Sequence, residues 1–489
     1  MSETLLNYIG DSFCPSSGAE MTEVINPATT KLLARAPHSS AEDVNRAAET
    51  AARAFGAWRR MTVGERIQPL FKLKSLLEAN RDELALSITD ECGKTLAESK
   101  GELQRAIENV ETACAMPMQI QGSLSEDVAR GIDELMIRQP VGIVAAITPF
   151  NFPGMIPFWF LPYAVASGNC FILKPSERTP ITAQKVFALI HAAGFPAGVV
   201  QMINGSRDAV NAILDHPLIR AISFVGSTAT ARYVYSRATA NGKRAQCQGG
   251  AKNPVVVMPD ADLEMTTRIL ADSAFGCAGQ RCLAASVAIT VGDVRSGFTD
   301  QIVSAAEQRK VGYGAAEGVE MGPVISAASK NRIAGLIAGG ERDGARRLSG
   351  DDRRLHGYED GYYVFPTVLD EVSPASELAR TEVFGPVLSL MHASTIEDAI
   401  ALVNQRAYGN MACIFTRDGS HARRFRYEVQ AGNIGVNVGV AAPMSTFPSS
   451  GWGESFFGDL HAQAHPAVEF YTQTKVVVER WPNDWTRKF

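Results

Sequence analysis

The spacing of apolar residues divides the chain into a helical beginning and two regions of mixed pattern. Ala41–Trp58 opens with acidic residues and is rich in Ala, and residues 63–89 repeat Leu and Ile at helical spacing, so both segments are predicted helices. Across residues 141–249, short β-rich runs alternate with helical runs, and a second alternation covers about residues 254–440. Such alternation predicts mostly parallel sheets joined by right-handed crossovers.

The first mixed region divides into alternating strands and helices. The predicted strands are residues 142–146, 170–173, 199–203, 221–224 and 245–248. The predicted helices between them are residues 180–193, 208–214 and 228–239. A polar stretch with interspersed Ile and Leu, residues 122–140, separates the first helices from the first strand.

Composition indicates a large protein that handles small molecules. A chain of 489 residues with 46% hydrophobic content can bury more than one core, so two or three domains are expected. A net charge of -5, from 47 basic and 52 acidic residues, suits neither nucleic acid nor an anionic membrane. We therefore expect no nucleic-acid partner.

The spacing of the cysteines and the lengths of the apolar runs indicate the cellular compartment of the protein. The eight cysteines are scattered without framework spacing, which fits free thiols in a reducing cytosol. The N-terminus lacks the basic-then-apolar order of a signal peptide, and the longest apolar stretch, about residues 155–166, contains two prolines and is too short to span a bilayer. We expect a soluble, cytoplasmic protein with no membrane partner.

Cys282 is the candidate nucleophile. It lies in the run FGCAGQRCLAAS, where small flanking residues leave its thiol accessible to a substrate carbonyl. Its own backbone N–H can help to bind the oxyanion that forms on attack. The alternative is a cysteine packed in a core, because free Cys is among the most buried residue types.

Asn151 is the candidate partner of that thiol. It stands in ITPFNFP, directly after an apolar run that predicts a buried strand. Ligands gather at the carboxyl ends of strands in open α/β sheets, so the Asn151 amide can donate the second hydrogen bond to the oxyanion.

Three further segments, KPSE at 174–177, FVGST at 224–228 and EVFGPV at 382–387, complete a pattern. Together with the segments around Asn151 and Cys282, they resemble the aldehyde dehydrogenase superfamily in order and spacing, over about residues 25–475. The resemblance implies an α/β fold with a Rossmann-like NAD domain, an α/β catalytic domain and a small β element for oligomerisation.

The same resemblance divides the chain. Residues 1–120 and 141–248 are predicted to form the NAD-binding domain, and residues 249–440 the catalytic domain. Residues 121–140 and 465–489 are predicted to supply a hairpin and a C-terminal strand, the latter at the alternating segment 469–478. Because that element builds the oligomer contact in the superfamily, a homo-oligomer is expected, either a tetramer or a dimer.

The predicted cofactor site lacks the usual dinucleotide fingerprint, because no Gly-x-Gly-x-x-Gly occurs. Gly226 and Ser227 follow a predicted strand and open a helix, so backbone N–H groups there can meet a pyrophosphate. Lys174 and Glu177 follow another strand, and the resemblance assigns both to the adenosine ribose. A carboxylate at Glu177 would repel a 2′-phosphate, which favours NAD over NADP. The alternative for residues 174–177 is a solvated loop.

The resemblance adds five cofactor-site residues. It implies that Glu382 holds the nicotinamide ribose and that Phe384 flanks the nicotinamide ring. Thr148, Pro149 and Phe150 are implied to line the cleft for adenosine and nicotinamide.

Gln248 stands at the position where most members of the superfamily have a glutamate that acts as a general base. Most members of the superfamily read Glu-Leu-Gly-Gly-Lys, whose glutamate activates the water that hydrolyses the thioester. This chain reads QCQGGAK, and counting back from Lys252 without a gap places Gln248 at the glutamate position. An amide cannot accept a proton at neutral pH, so a second thiol, that of coenzyme A, is expected to take the acyl group.

These features resemble the methylmalonate semialdehyde dehydrogenase branch, as do GQRC at 279–282 and SFFGDL at 455–460. That branch forms propionyl-CoA or acetyl-CoA from methylmalonate or malonate semialdehyde, with loss of carbon dioxide. Its substrates carry a carboxylate, and Arg105 and Arg281 match the arginines expected to bind it.

The sequence thus predicts oxidation of a semialdehyde through a Cys282 thioester, with NAD as cofactor and coenzyme A as co-substrate. Arg281 and a local helix end are expected to lower the pKa of the Cys282 thiol. Two alternatives stay open: a CoA-independent semialdehyde dehydrogenase that yields the free acid, and a non-catalytic NAD-binding structural protein. His461 and His465 are spaced one helical turn apart but lack an obvious third ligand, so no metal site is expected.

Overall fold

The computed structural model describes residues 3–351, 354–449 and 451–481. An eight-stranded sheet and a seven-stranded sheet, both mainly parallel, organise the chain. The eight-stranded sheet has the spatial order Phe456–Phe457, Arg244–Gln248, Ile219–Val225, Ile143–Ile147, Cys170–Lys174, Val200–Met202, Asn7–Ile9 and Ser12–Cys14. Its four inner pairings are parallel, and its edge pairings are antiparallel.

The seven-stranded sheet has the order Arg346–Ser349, Thr367–Asp370, Val387–Ala393, Ala285–Val291, Asn253–Val257, Met411–Phe415 and Asn433–Val436. Every pairing in it is parallel except that of the first strand. The remaining strands form three small sheets: Glu3–Thr4 with Leu32–Pro37 and Met21–Ile25, Tyr408–Gly409 with Trp452–Gly453, and Thr472–Arg480 with Ile132–Pro140 and Ser123–Ala129.

Helices connect these strands and cover both large sheets. Up to residue 248 the α-helices are Ala41–Trp58, Val63–Arg66, Gln68–Ala79, Arg81–Cys92, Leu96–Cys114, Met116–Gln119, Leu161–Ala166, Ile181–Ala193, Arg207–Asp215 and Thr228–Ala240. Later in the chain they are Leu263–Phe275, Arg295–Gln308, Ala327–Arg342, Glu377–Arg380, Ile396–Asn404, Gly419–Glu428 and Ala464–Tyr471. Short 3₁₀ turns occur at Ile156–Trp159, Gly276–Gly279 and Gly292–Val294.

Two separate hydrophobic cores accompany the two large sheets. Buried strands and helices up to residue 247 supply most of the first core, and those from residue 255 onward supply the second. The strands predicted within residues 141–249 are all present, with bounds shifted by no more than two residues. The alternation of strand and helix thus confirms the predicted α/β class.

The single helix predicted over residues 63–89 is wrong, because the structure divides it into three. Pro69 has no N–H to donate and begins a new helix at Gln68–Ala79. Asn80 ends that helix, and its side-chain amide donates a hydrogen bond to the Leu76 carbonyl at 2.8 Å. A helical spacing of Leu and Ile therefore continues across two breaks in the backbone.

The hairpin region is antiparallel, and its C-terminal strand starts later than predicted. The strand predicted at residues 469–478 is wrong at its beginning, because residues 469–471 belong to the helix Ala464–Tyr471 and the strand runs over Thr472–Arg480. Residues 482–489, the end of the predicted segment 465–489, lie outside the described residues. Among the residues that are described, no helix is long and apolar enough to cross a membrane.

Candidate active site

The carboxyl ends of neighbouring parallel strands bring three loops together. Ile143–Ile147, Ile219–Val225 and Arg244–Gln248 lie side by side in the eight-stranded sheet. The loops that follow them contain Asn151, Gly226 and Gly250, and all three of these residues line one cavity with Cys282. Sheet topology therefore gathers segments that are far apart in sequence at one edge.

The segment that leads to Cys282 is conformationally strained. Cys277 and Ala278 have φ angles of 50° and 52°, which non-glycine residues rarely adopt. Gly279 follows with φ of 68°, and a Cβ there would lie 2.0 Å from the Gly385 carbonyl oxygen. Strain of this kind persists only where surrounding contacts impose it, and it often occurs at functional sites.

Two asparagine amides fix the backbone of Cys282. Asn253 and Asn410 each donate a side-chain N–H to the Cys282 carbonyl oxygen at 2.8 Å. Neither residue was predicted from the sequence. Asn253 directly follows the QCQGGAK segment, whereas Asn410 has no local signal in the sequence.

The predicted lowering of the Cys282 thiol pKa is wrong. Burial, with the nearby Glu382 carboxylate in addition, raises this pKa to about 12. Arg281, the expected source of positive charge, is hydrogen-bonded to Glu98 instead. The cavity therefore holds Cys282 as a neutral thiol at pH 7.

Asn151 is buried beside the nucleophile segment. Its Nδ2 atom donates a hydrogen bond to the Gln280 carbonyl oxygen at 2.9 Å, two residues before Cys282. The other N–H of this amide has no hydrogen bond to any described residue, so it remains available to an incoming oxygen atom. This geometry fits a donor to an oxyanion.

Cys282 stands at the junction of two cavities of about 420 Å³ each. The residues predicted for the cofactor that line the first cavity are Pro149, Phe150, Gly226, Ser227, Glu382 and Phe384. The second cavity is lined by both predicted substrate-binding arginines, Arg105 and Arg281. One thiol can thus be reached from both sides.

The first cavity contains an uncapped helix end. The helix Thr228–Ala240 begins after Ser227, whose side chain makes no capping hydrogen bond within the described part of the chain. The first N–H groups of a helix are unpaired by geometry, and the helix dipole favours an anion near them. Gly226 adds no side chain there, so its backbone can approach a pyrophosphate closely.

Two aromatic rings form one wall of the first cavity. Phe150 and Phe384 meet edge to face with ring centroids 5.8 Å apart, and Phe384 is held at a φ angle of 50°. Such apolar surfaces beside polar groups suit a flat heteroaromatic ring.

Lys174 and Glu177 form an ion pair at 3.0 Å. Burial alone would raise the pKa of Glu177, but the Lys174 ammonium group outweighs it and the pKa is lowered. Lys174 is buried, so the alternative of a solvated loop is wrong for this residue. The Lys174 carbonyl oxygen accepts the Thr148 N–H at 3.1 Å, which joins the two strand ends. These three residues are not among those lining the first cavity.

Glu382 is the partly buried carboxylate of the first cavity. Its Oε1 atom accepts the Ala251 N–H at 3.0 Å, and burial raises its pKa to about 7. Lys252 is buried nearby, and its Nζ atom has no hydrogen-bond partner among the described residues. Burial, with the Arg406 guanidinium in addition, lowers the pKa of Lys252 to about 7.

Gln248 ends the strand Arg244–Gln248. Its backbone carbonyl oxygen accepts the Gly226 N–H at 3.1 Å, so the base position is tied to the loop with the uncapped helix end. Its side-chain Nε2 atom is buried and has no hydrogen-bond partner in the described part of the molecule. An unsatisfied buried donor of this kind is costly unless a ligand provides an acceptor.

The arginines of the second cavity are each paired with a glutamate. Arg105 Nη1 donates to Glu108 at 2.9 Å and also contacts the Met444 sulfur at 2.7 Å. Arg281 Nη2 donates to Glu98 Oε1 at 3.0 Å. Neither glutamate was predicted from the sequence as a partner of these arginines. The Arg105 to Glu108 pair has a spacing of three on one helix, which could have revealed it.

His461 and His465, where no metal site is expected, do not lie on the same face of a helix. His461 precedes the helix Ala464–Tyr471 and stacks on Phe456 with ring centroids 4.0 Å apart, whereas His465 pairs with Glu469. Across the described residues, no group of three or more metal-ligating side chains is found.

Comparisons with known proteins place this arrangement in a family. The sequence pattern of the aldehyde dehydrogenase family matches residues 13–477. Malonate-semialdehyde dehydrogenase 1 of Geobacillus thermodenitrificans is 46% identical over 98% of this chain and 99% of that protein. The malonate-semialdehyde dehydrogenase of Halalkalibacterium halodurans is 44% identical with the same coverage of both chains.

Solved structures agree with the sequence relatives. A crystal structure from Sinorhizobium meliloti, complexed with NAD, has a TM-score of 0.98 at 40% identity and covers 99% of both chains. The methylmalonate-semialdehyde dehydrogenase of Oceanimonas doudoroffii has a TM-score of 0.97 at 40% identity, covering 99% of this chain and all of that one. The chain belongs to the aldehyde dehydrogenase family.

Proposed function

We propose that this protein oxidises malonate or methylmalonate semialdehyde with NAD and transfers the acyl group to coenzyme A. The observation that carries the proposal is the position of Cys282 between a cavity with cofactor-binding features and a cavity with two arginines. The names of the relatives, malonate- and methylmalonate-semialdehyde dehydrogenase, support the same substrate class.

The residues of the first cavity fit NAD. The unpaired N–H groups after Ser227 suit the pyrophosphate, and Phe384 and Phe150 suit the nicotinamide ring. Glu382 would accept hydrogen bonds from the nicotinamide ribose, and Lys174 with Glu177 would hold the adenosine ribose. When bound, NAD supplies the hydride acceptor.

Cys282 and Asn151 perform the oxidation step. The Cys282 thiol first gives its proton to solvent, and the thiolate then attacks the aldehyde carbon, while the Asn151 side-chain amide and the Cys282 backbone N–H donate hydrogen bonds to the oxyanion. Loss of hydride from the resulting tetrahedral carbon leaves a thioester on Cys282. The hydrogen bonds from Asn253 and Asn410 hold the backbone of the nucleophile during these steps.

Arg105 and Arg281 bind the substrate carboxylate in the second cavity. Glu108 and Glu98 offset part of their charge, so the cavity is less electropositive than two free guanidinium groups would make it. An anion that enters gains charge-assisted hydrogen bonds from groups that stay protonated at every physiological pH.

Gln248 directs the thioester to coenzyme A. Its amide cannot remove a proton from water, so hydrolysis lacks the base expected at this position. The thiol of coenzyme A attacks the thioester instead. Loss of the substrate carboxylate as carbon dioxide, with uptake of a proton from solvent at the same carbon, gives acetyl-CoA from malonate semialdehyde or propionyl-CoA from methylmalonate semialdehyde.

We also propose the domain roles, assembly and compartment that the sequence predicts. Residues 1–120 and 141–248 would form the NAD-binding domain, and residues 249–440 the catalytic domain. The sheet of Thr472–Arg480 with the hairpin exposes Val476 and Val478, each 61% accessible, which supports a homo-oligomer. All eight cysteines lie within the described residues, where they form no disulfide, and this supports a reducing, cytoplasmic location.

The test is NADH formation from malonate semialdehyde and NAD, with and without coenzyme A, with the product identified by mass. The proposal predicts a CoA-dependent rate and acetyl-CoA as product. Equal rates and a free acid product would contradict the CoA step and indicate that water finds another base. A Gln248→Glu variant sharpens the test, because a carboxylate there should increase the fraction of free acid, whereas Gln246→Glu, two residues earlier in the same strand, should not.

A further inference from the structure

A buried ion pair at the edge of the second cavity, which its Glu102 member lines, has no role in the chemistry described so far. Lys94 Nζ and Glu102 Oε2 are 2.6 Å apart, and both side chains are almost completely inaccessible. Lys94 lies two residues before the helix Leu96–Cys114, and Glu102 lies in it. A buried ion pair adds little net stability, because desolvation of both charges offsets their attraction. Stability alone therefore does not account for the pair.

Both members of the pair bind the backbone that carries Asn151. Lys94 Nζ donates a hydrogen bond to the Asn151 carbonyl oxygen at 2.7 Å. Glu102 Oε1 accepts the Gly154 N–H at 2.6 Å and the Met155 N–H at 3.0 Å. This stretch forms turns and bends between a strand and a 3₁₀ turn, so these charged side chains take the place of regular backbone pairing.

The pair also fills the space beneath the loop. The Lys94 ammonium lies 3.8 Å from the centroid of the Phe152 ring, a cation–π contact with the residue after Asn151. A Cβ on Gly154 would lie 3.3 Å from Glu102 Oε1, so the loop and the carboxylate are in close contact. Several contacts therefore limit movement of the loop toward or away from Cys282.

Both the backbone and the side chain of Asn151 are therefore held by hydrogen bonds. Its backbone is held by Lys94, and its side chain is held by the Gln280 carbonyl oxygen. These contacts set the direction of the remaining N–H of the amide. A donor displaced by about 1 Å loses much of its effect on the transition state.

We infer that Lys94 and Glu102 are positioning residues that orient the Asn151 amide toward the oxyanion formed at Cys282. The inference rests on the proposed function only in giving Asn151 that task. It does not depend on the identity of the semialdehyde or on coenzyme A.

Two reactions of Cys282 distinguish a positioning role of Lys94 and Glu102 from a general loss of structure around the site. Acylation by p-nitrophenyl acetate forms an oxyanion and needs no NAD, whereas alkylation by iodoacetamide attacks a tetrahedral carbon and forms none. In the Lys94→Met/Glu102→Gln variant, which leaves no unpaired buried charge, acylation should fall about 10- to 100-fold. Alkylation should stay within about twofold of the parental rate, because thiol reactivity itself is unchanged.

A coupling experiment identifies Asn151 as the residue through which the pair acts. Asn151→Ala alone should lower acylation selectively, and the pair variant added to it should cost less than about threefold more, since there is no amide left to orient. The single Glu102→Gln variant, which keeps one carbonyl acceptor, should show the same selective loss at smaller size. Lys74→Met/Glu78→Gln removes a similar but exposed pair and should change neither reaction.

Three results would overturn the inference. These are equal losses of acylation and alkylation, a full loss that persists in the Asn151→Ala background, and an Asn151→Ala variant that acylates at the parental rate. If the ester reactions behave as expected but no NADH forms from either semialdehyde, the proposed function fails and the positioning role stands.

Discussion

The two cavities that meet at Cys282 have the same volume but differ in how their charged side chains are paired. In the first, the lining carboxylate of Glu382 has its pKa raised to about 7, and the pKa of Lys252, which is buried nearby, is lowered to about 7. In the second, Arg105 and Arg281 are each paired with a glutamate and remain charged. Burial without a charge partner moves a pKa toward the neutral form, whereas pairing preserves the ion.

This difference suits two kinds of ligand. The first cavity offers backbone N–H groups, aromatic rings and the Glu382 carboxylate, and its Arg332 guanidinium is bound to backbone carbonyl oxygens, a mixture that suits a large cofactor. The second presents permanent cations, which favour a small anionic substrate. The thiol between them is neutral at pH 7, because burial and the Glu382 carboxylate raise its pKa.

The largest expected effect on activity comes from removing the Cys282 thiol, which both cavities share. Cys282→Ala should lower NADH formation from malonate semialdehyde by about 10⁴-fold or more, because no other group can form the thioester. The measurement is initial rate by NADH absorbance. Cys14→Ala, the same change at a partly exposed cysteine, is the matched control and should keep the parental rate. NADH formation at that rate in Cys282→Ala would exclude Cys282 as nucleophile.

The second effect concerns pH. Burial and the Glu382 carboxylate raise the pKa of the Cys282 thiol to about 12, so the thiolate fraction should rise tenfold for each pH unit below that value. Alkylation of Cys282 by iodoacetamide without NAD should therefore increase about 100-fold between pH 7 and pH 9. A rate that levels off near pH 7 would show that the thiol is ionised in the free protein.

The third effect separates the two cavities directly. Arg105→Met should lower kcat/KM for malonate semialdehyde about 10- to 100-fold, the size expected for a charge-assisted hydrogen bond. Propanal carries no carboxylate and should react at nearly the parental rate, and the Kd for NAD should not change. A similar loss with both aldehydes would place Arg105 outside substrate recognition.

The smallest effect tests the cofactor side. Glu177→Gln removes the carboxylate expected to repel a 2′-phosphate, so the preference for NAD over NADP should fall by about tenfold. Kinetics with both cofactors at fixed aldehyde give the ratio. Glu83→Gln, an exposed carboxylate that pairs with Lys185, is the control and should leave the ratio unchanged. An unchanged ratio in Glu177→Gln as well would remove Glu177 from the ribose site.

Much of the fold could be predicted because its signals are local. Strand and helix alternation follows from the spacing of apolar residues, and Cys282 and Asn151 stand in short segments with recognisable neighbours. The breaks within residues 63–92 were harder to see, because they depend on Pro69 and Asn80 rather than on the apolar spacing.

The polar partners of the site could not be predicted because they come from remote segments. Glu98 is 183 residues from Arg281, and Asn410 is 128 residues from Cys282. The direction of the Cys282 pKa shift was missed for the same reason. Arg281 is adjacent in sequence, but it pairs with Glu98, and the pKa of the thiol follows from burial and from Glu382 instead.

A crystal structure of Cys282→Ala with NAD and malonate semialdehyde tests the division of labour between the two cavities most directly. We predict nicotinamide density beside Phe150 and Phe384, with the substrate carboxylate within hydrogen-bond distance of Arg105 or Arg281. Substrate bound with its carboxylate away from both arginines, or NAD bound outside the first cavity, would contradict the account.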